Sequence, residues 1–551
     1  MLKKTTFLLA FLCLLFLFSC NNKTGNNNRV VIGISADVNT FNPLFGFSVD
    51  EGAITELLYL SLADFKWNKE LGELEAFPML AKSWEWASDS SFVTFHMRDD
   101  VKWSDGVPLT AEDVVFSLDV YSDPVVNSRL YGIFEDVYTD EENHIDIEKT
   151  FNVKSPYKLQ INFIPGSSPD LIDIVHPIIP KHIFDKIERK NLETSEVNFN
   201  PVTSSPFVLK KWNRNQSIIL GVNKNSFLYN PDNIQELVFK IVPDYTSRLT
   251  QLKKGEIDLM ELISTEDIDG VKEAKNLEIK TIDGREYDYI GWNNIDPDIY
   301  FSRGKIVPNK LFGKKEIRIA LTYAINRQEI LDEYLYNYGQ LATSPISPIF
   351  SNYFDPDIQP YEFNPEKAKT ILVSEGWYDS NNDGVIDKNG LEFEFTLTIP
   401  SGNPLRPYAA TVIKNNLKAV GIEMNIETLE LGAFIDKRSE KKIDAWMAGW
   451  YVPIPIELKA FWYSDFKSAP LNFTSYQNKE ADKIMAALTE HLPAGKRKQL
   501  YYQFQKIIHE DQPFTFMYWI SNIVGINKRV KNVSVNPIGV ITNCWDWSTE
   551  D

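Results

Sequence analysis

Apolar and polar positions alternate over residues 91–97, with Phe92, Val93, Phe95 and Met97 apolar, which is the period of a half-buried strand. Asp105-Gly106 follows as a turn signal, because glycine tolerates the backbone angles of a reversal. Thr110 then precedes Asp113 at capping-box spacing, ahead of the apolar run Val114, Val115, Phe116 and Leu118. The same reading predicts strands over 29–36, 208–212, 218–222, 237–242, 393–399 and 421–426. Helical spacing appears over 54–62, 317–331 and 408–420. Asn326 precedes Glu329 as a helix cap, and Asn364-Pro365 opens another helix that Gly376 closes. Residues 237–259 read as a βαβ-like unit, which favours a sheet with covered faces and an α/β fold. No repeat of solenoid length is visible.

At 551 residues the chain exceeds what one core accommodates, so two or three domains are expected. Hydrophobic residues at 43% and charged residues at 24% are ordinary for a soluble globular protein. A formal net charge of −19 argues against nucleic acid, whose phosphates need a basic face. Residues 1–19 differ from the rest. Lys3 and Lys4 precede an apolar run over 7–18, which suits a signal peptide and falls short of the about 20 residues that span a bilayer. The run ends in Leu17-Phe18-Ser19-Cys20, which resembles a bacterial lipobox and implies that Cys20 is the lipidated first residue of the mature chain. A plain secretory signal or an anchor helix is the competing reading. Residues 20–28 then form a polar, Asn-rich tether with nothing to bury. With Cys13 cleaved away and Cys20 lipidated, Cys544 is left alone and no internal disulfide is expected.

The wording of 78–117 says more than its periodicity. "P-x-L-A-x-S-W-E" followed by "F-x-x-R-x-x-V-x-W-x-D-G-x-P-L-T-A-E-D-V-V-F-S" resembles the signature of extracellular solute-binding family 5, the dipeptide- and oligopeptide-binding lipoproteins of ABC importers. Asn39-Thr40-Phe41-Asn42-Pro43-Leu44 resembles that family's "T-L-N-P-L" entry to the ligand cleft, and IRIALTYAINRQEIL at 317–331 resembles "V-R-x-A-L-x-Y-A-I-D-R-x-x-I". Ser204-Ser205-Pro206-Phe207 stands where the family writes "G-T-G-P-Y", so that loop must do without its glycines. The resemblance implies an α/β, two-lobed, periplasmic-binding-protein-like fold (class II, cluster C type) with an extra inserted α/β domain. Lobe I would take 29–60, 206–288 and 520–551, the inserted domain 61–205, and lobe III 289–519, with Tyr289 to Asn293 as a crossing. It also implies a monomer without catalytic activity that captures a small ligand, peptide by default, and hands it to an ABC permease and ATPase complex. The location implied is periplasm or cell envelope, anchored to the membrane through Cys20.

The same resemblance assigns the cleft. Phe47, Ser48 and Val49 follow Asn42-Pro43 and line the pocket in oligopeptide binders; an acid used there by some relatives is Phe47 here. Leu431 and Arg438 fall where relatives place a pocket aromatic and a basic residue, and guanidinium suits a peptide carboxylate because it donates two parallel bonds. Trp450 and Tyr451 are the leading site residues, with Trp292 and Asn293 at the crossing next. Relatives that hold a free amino end carry aspartate three residues after this tryptophan, where the chain has Pro453; Glu457 and Asp465 are the nearby substitutes. A buried ammonium without its counter-charge is costly, so the substrate class stays open between peptide, oligosaccharide and another small solute.

Motifs for catalysis are missing: there is no G-x-S-x-G, H-E-x-x-H or G-x-x-x-x-G-K-[ST], and the six histidines are scattered. A cleft hydrolase of the envelope and a transporter-independent sensor or chaperone remain as alternatives. No cofactor is expected apart from calcium at one loop. Asp379, Asn381, Asp383 and Asp387 stand at positions one, three, five and nine of an EF-hand-like loop with Gly384 at six, although position twelve is Gly390 where glutamate normally completes the shell.

Overall fold

In the computed structural model, which describes residues 28–46, 48–167, 169–490 and 492–550, the chain opens on strand β1 (Arg29–Ile34) and helix α1 (Val49–Glu56). The expected signal segment, Cys20 and Phe47 lie outside the described residues. A hairpin follows, β2 (Ala63–Asn68) and β3 (Glu73–Pro78), and then β4 (Ala81–Trp86), β5 (Phe92–Met97), α2 (Ala111–Ser122), β6 (Phe151–Ser155) and β7 (Lys158–Asn162). The predicted alternation is real: Val93 and Phe95 of β5 are fully buried in a four-stranded sheet ordered β4-β5-β7-β6.

The long family-like stretch is structural. Gly106 turns at φ +93°, Trp103 is buried, and the Asp113 carboxylate accepts from the Thr110 and Lys181 amides, which caps α2 and pins it to a distant loop. At 204–206 the missing glycines are not needed, since no residue there has positive φ. The Ser204 and Ser205 amides donate to the Leu58 carbonyl, and Ser204 Oγ accepts from the Leu60 amide. Helix α1 ends at Glu56, short of the apolar run over 54–62, whose later residues are buried coil.

The remaining strands are β8 (Phe207–Asn213), β9 (Ser217–Val222), β10 (Glu236–Ile241), β11 (Leu259–Met260), β12 (Leu277–Trp292), β13 (Gly339–Leu341), β14 (Asp387–Lys388), β15 (Leu391–Glu392), β16 (Glu394–Pro400), β17 (Glu423–Leu429), β18 (Ala445–Tyr451) and β19 (Phe514–Asn527). Among them run the helices α3 (Tyr245–Lys254), α4 (Lys315–Ala324), α5 (Pro365–Ser374), α6 (Leu405–Lys418), α7 (Leu431–Ser439), α8 (Lys479–Leu488) and α9 (Ala494–Asp511), numbering those of eight residues or more. The main sheet is ordered β17-β16-β18-β12-β19-β11-β1-β10-β9-β8, with β13 also on β19.

Among the described residues only β12 and β19 run through both halves of that sheet. Their pairing breaks between Ile282 and Glu286 and shifts again between Asp288 and Tyr289. On one side of the break, β1, β10 and β11 run parallel and share a core with the four-stranded sheet. On the other side, β16, β17 and β18 run parallel and are covered by two separate cores, one per face. A sheet covered on both faces explains why β12 is buried continuously from Tyr287 to Trp292.

Two buried arginines hold the second half together. Arg318 donates to the carbonyls of Phe312, Asp511 and Gln512, and Arg327 to those of Phe516 and Tyr361. The motif at 317–331 is therefore a scaffold, satisfying carbonyls that would otherwise be buried without partners. In the first half, Arg529 bonds Asp258 and the Arg29 carbonyl, tying the C-terminal segment to β1. Cys544 is buried and unpaired, its thiol pushed up by burial.

Candidate functional site

Ligand sites in open α/β sheets lie beyond the carboxyl ends of parallel strands. Here both sets of ends point at the same place. Met260, the end of β11, pairs with Gly525 of β19, and Tyr451, the end of β18, pairs with Glu286 of β12. From either side the strands run toward the break at 282–286 in the two shared strands. The two halves therefore present their loops to one another across that crossing.

On the first half, Ser48 caps α1, its Oγ accepting from the Glu51 amide at 3.1 Å while Glu51 accepts from the Ser48 amide. Val49 begins the helix and is 89% exposed. Val49 lines a cavity of about 240 Å³ that α1 shares with Asp64, Glu261 and the loop 538–543. On the second half, the carboxyl end of β17 delivers Leu431, half exposed at the start of α7, and the end of β18 delivers Trp450 and Tyr451. Trp450 packs edge-on against Phe461 at 4.6 Å, and its indole N–H is buried without an acceptor among the described residues. Tyr451 accepts at its hydroxyl from Arg285 of the crossing, whose guanidinium lies 4.2 Å from the ring centre.

Pro453 lines a small recess with Trp450, Phe461 and Glu457. Of the two substitutes for a missing aspartate, Glu457 is the one beside Trp450, while Asp465 is engaged by its own turn through Lys467 and Ser468. Beneath Trp450, Gly449 is required by an ion pair: a Cβ there would stand 2.6 Å from Arg406 Nη2 and 2.7 Å from Asp288 Oδ1. Arg406 and Asp288 are 2.9 Å apart, and burial raises the Asp288 carboxyl while Arg406 opposes it.

Other expected site residues are placed elsewhere. Trp292 is fully buried at the end of β12 remote from the crossing, tilted against Phe312 and edge-on to Phe395, and donates to Thr515 Oγ1 at 3.1 Å. It is a core residue, a correction to its reading as ligand-facing. Asn293 is buried beside it, its amide N–H on the Asp444 carbonyl at 2.8 Å. Arg438 lies at the far end of α7, about 10 Å down the helix from Leu431. Its guanidinium sits 3.9 Å from the Phe473 ring centre, and it has no carboxylate partner among the described residues. The acidic loop at 379–387 is held by its own hydrogen bonds. Asp379 accepts from the Asp383 and Gly384 amides, Asp383 from Val385, and Asp387 from Ser380, so these side chains close a turn. Asn381 donates to Asp383. Among the described residues no group of three or more His, Cys, Asp or Glu is placed to hold a metal ion.

The structure also brings together residues that the sequence reading passed over. A cavity of about 460 Å³, in the range that holds a small ligand, spans the two halves, with Phe65, Leu74 and Ile172 on one side and Tyr353, Ile454, Arg497 and Tyr501 on the other. Beside it, the tip of the β2–β3 hairpin docks on 350–353. Ser351 donates to the Glu70 carbonyl at 2.8 Å, Tyr353 bonds Glu73, and Trp67 meets Phe350 edge-on at 5.8 Å. Gly72, at φ +65°, lies so close that a Cβ would stand 2.2 Å from the Ser351 nitrogen. A glycine at a hairpin tip was the available signal, and nothing in the sequence named its partner.

The profile of bacterial extracellular solute-binding proteins, family 5 (middle), matches residues 75–472. The oligopeptide-binding protein AppA of Bacillus subtilis is 30% identical, covering 97% of this chain and 96% of its own. The dipeptide-binding protein of Escherichia coli is 26% identical over 91% of this chain and 90% of its own. The Bacillus subtilis AppA structure, solved with a nonapeptide, superposes with a TM-score of 0.71 at 28% identity, covering 95% of this chain and 99% of that one. No helix among the described residues is long and apolar enough to cross a membrane. This chain belongs to the bacterial extracellular solute-binding proteins, family 5.

Proposed function

We propose that the protein captures peptides between the two halves of its sheet and delivers them to an ABC permease, without chemically changing them. The observation that carries this reading is the convergence of both sets of parallel-strand carboxyl ends on the crossing at 282–286. The interlobe cavity and the aromatic wall of Trp450 and Tyr451 support it, since rings with a polar edge suit both peptide backbone and apolar side chains. The names of the similar AppA and dipeptide-binding proteins support the same class. The two shared strands serve as the hinge, and ligand favours the closed form by its greater affinity for it.

Native mass spectrometry on the chain from Arg29 onward, purified gently from a bacterial host, tests this. A retained mass that leaves on denaturation and fragments as peptide is the expected result; a sugar, or products shorter than an added peptide after long incubation, would overturn it. Anchoring through a lipid on Cys20 rests on the lipobox resemblance. Partitioning of the full chain into a detergent phase, and its loss in Cys20→Ser, is the corresponding check.

A further inference from the structure

The cavity beyond β1 and β11 is acidic in a way that the sequence reading did not anticipate. Asp50 and Glu56 of α1, Asp64 of the hairpin and Glu261 just past β11 all line it. Among the described residues none of these four carboxylates is in an ion pair, and only Asp64 has an amide donor, that of Phe65. Three basic groups reach the cluster and each is engaged elsewhere. Arg129 donates to the Pro43 carbonyl, Arg248 to the Val242 carbonyl, and the Lys66 ammonium lies 4.3 Å from the Phe77 ring centre.

Glu56 and Glu261 are open to water at the mouth, yet crowding by protein raises both to about 7, with Asp64 adding to the first and Asp50 to the second. Burial also raises Asp64 to about 6. A second observation is independent of these acids. Tyr59 lines the same cavity, is 2% exposed, and its hydroxyl has no partner among the described residues. The side-chain oxygen of Asn543 is likewise buried there without a donor. The cavity thus offers acceptors in excess of donors. Its acids are too dispersed to ligate a metal ion, and at about 240 Å³ it is smaller than the roughly 300–1,000 Å³ of a whole-ligand pocket. It suits one group of a larger ligand.

We propose that this cavity receives an organic cation of the bound ligand, an ammonium or guanidinium, and so selects basic peptides. The proposal rests on the peptide reading above. It also gives a counter-charge on the first half of the molecule, where Pro453 leaves none at the family's position on the second. When the cation enters, carboxyls that hold protons in the empty cavity release them to solvent and become its ion-pair partners. Affinity for basic ligands therefore rises between about pH 5.5 and 8 as those protons become easier to lose.

Titration calorimetry compares N-acetylated Ala-Lys-Ala, which has no free amino end, with its norleucine isostere, on the wild type and on Glu56→Gln/Glu261→Gln, with Tyr59→Phe as a milder variant. Expected is a preference of about tenfold for the lysine peptide at pH 8, shrinking toward pH 5.5 and abolished in the double variant, whose affinity for the norleucine peptide is retained. Equal affinities for the two peptides in the wild type would overturn the proposal while leaving peptide binding standing. A double variant that keeps the lysine preference would overturn it as well. Agmatine against its neutral alcohol analogue, read by thermal shift, separates the two readings: if no peptide binds but agmatine stabilises the wild type and not the double variant, the cavity holds its cation and the peptide reading fails.

Discussion

Arg406 and Asp288 pair where only Gly449 leaves room for them, and Asp288 is fully buried while Arg406 is nearly so. Removing one partner of such a pair strands the other, which typically costs about 3–5 kcal/mol. Arg406→Met is expected to lose an amount of that order at pH 7 in urea unfolding. The pH dependence has a definite sign. A carboxyl whose folded pKa is raised binds its proton more tightly in the folded state, so lowering the pH favours folding. The deficit is therefore largest near neutrality and shrinks toward pH 5; a deficit independent of pH would exclude Asp288 as its source. At this scale the sequence was legible where chemistry is local. The caps at Thr110, Asn326 and Asn364 are where their spacing placed them. It was illegible where contact is remote. Trp292 and Arg438 were aligned as ligand residues, but their neighbours Thr515, Phe395 and Phe473 are distant in the chain. Glu56 and Glu261 each interrupt an apolar run, ITELLYL and LMELI, and that interruption was the readable sign of an acid set against the core.

Elements were read best when one face alone is buried. Alternation in β5 and the 3.6 spacing of α6 set their types, because each has one covered side. β12 gives no such cue, being covered on both faces after Tyr287, so neither its length nor its break at 282–286 follows from pattern. The β2–β3 hairpin shows a third case: its strands are ordinary, and its role comes from what the tip touches. Gly72→Ala puts a methyl against the Ser351 backbone at a left-handed residue, a combination that costs on the order of 1–3 kcal/mol. Small-angle scattering of the ligand-free variant is expected to show a larger radius of gyration than the wild type, with peptide affinity down by several-fold to about a hundredfold. An unchanged radius with normal affinity would mean that the hairpin tip does not hold the halves together.

Across the whole molecule, two shared strands and one docked hairpin join the halves at different places, the strands through the continuous sheet and the hairpin beside the cavity that both halves line. This arrangement bears on how fast a ligand enters, and not only on how tightly it stays. A peptide reaching the closed protein must wait for the hairpin tip to leave Ser351 and Tyr353. In stopped-flow mixing, the observed association rate should then climb with peptide concentration only until it meets the rate of that release, and flatten there. Loosening the tip at Gly72 should lift the plateau while weakening equilibrium binding, making the hairpin a timer whose setting trades speed of loading against retention of cargo.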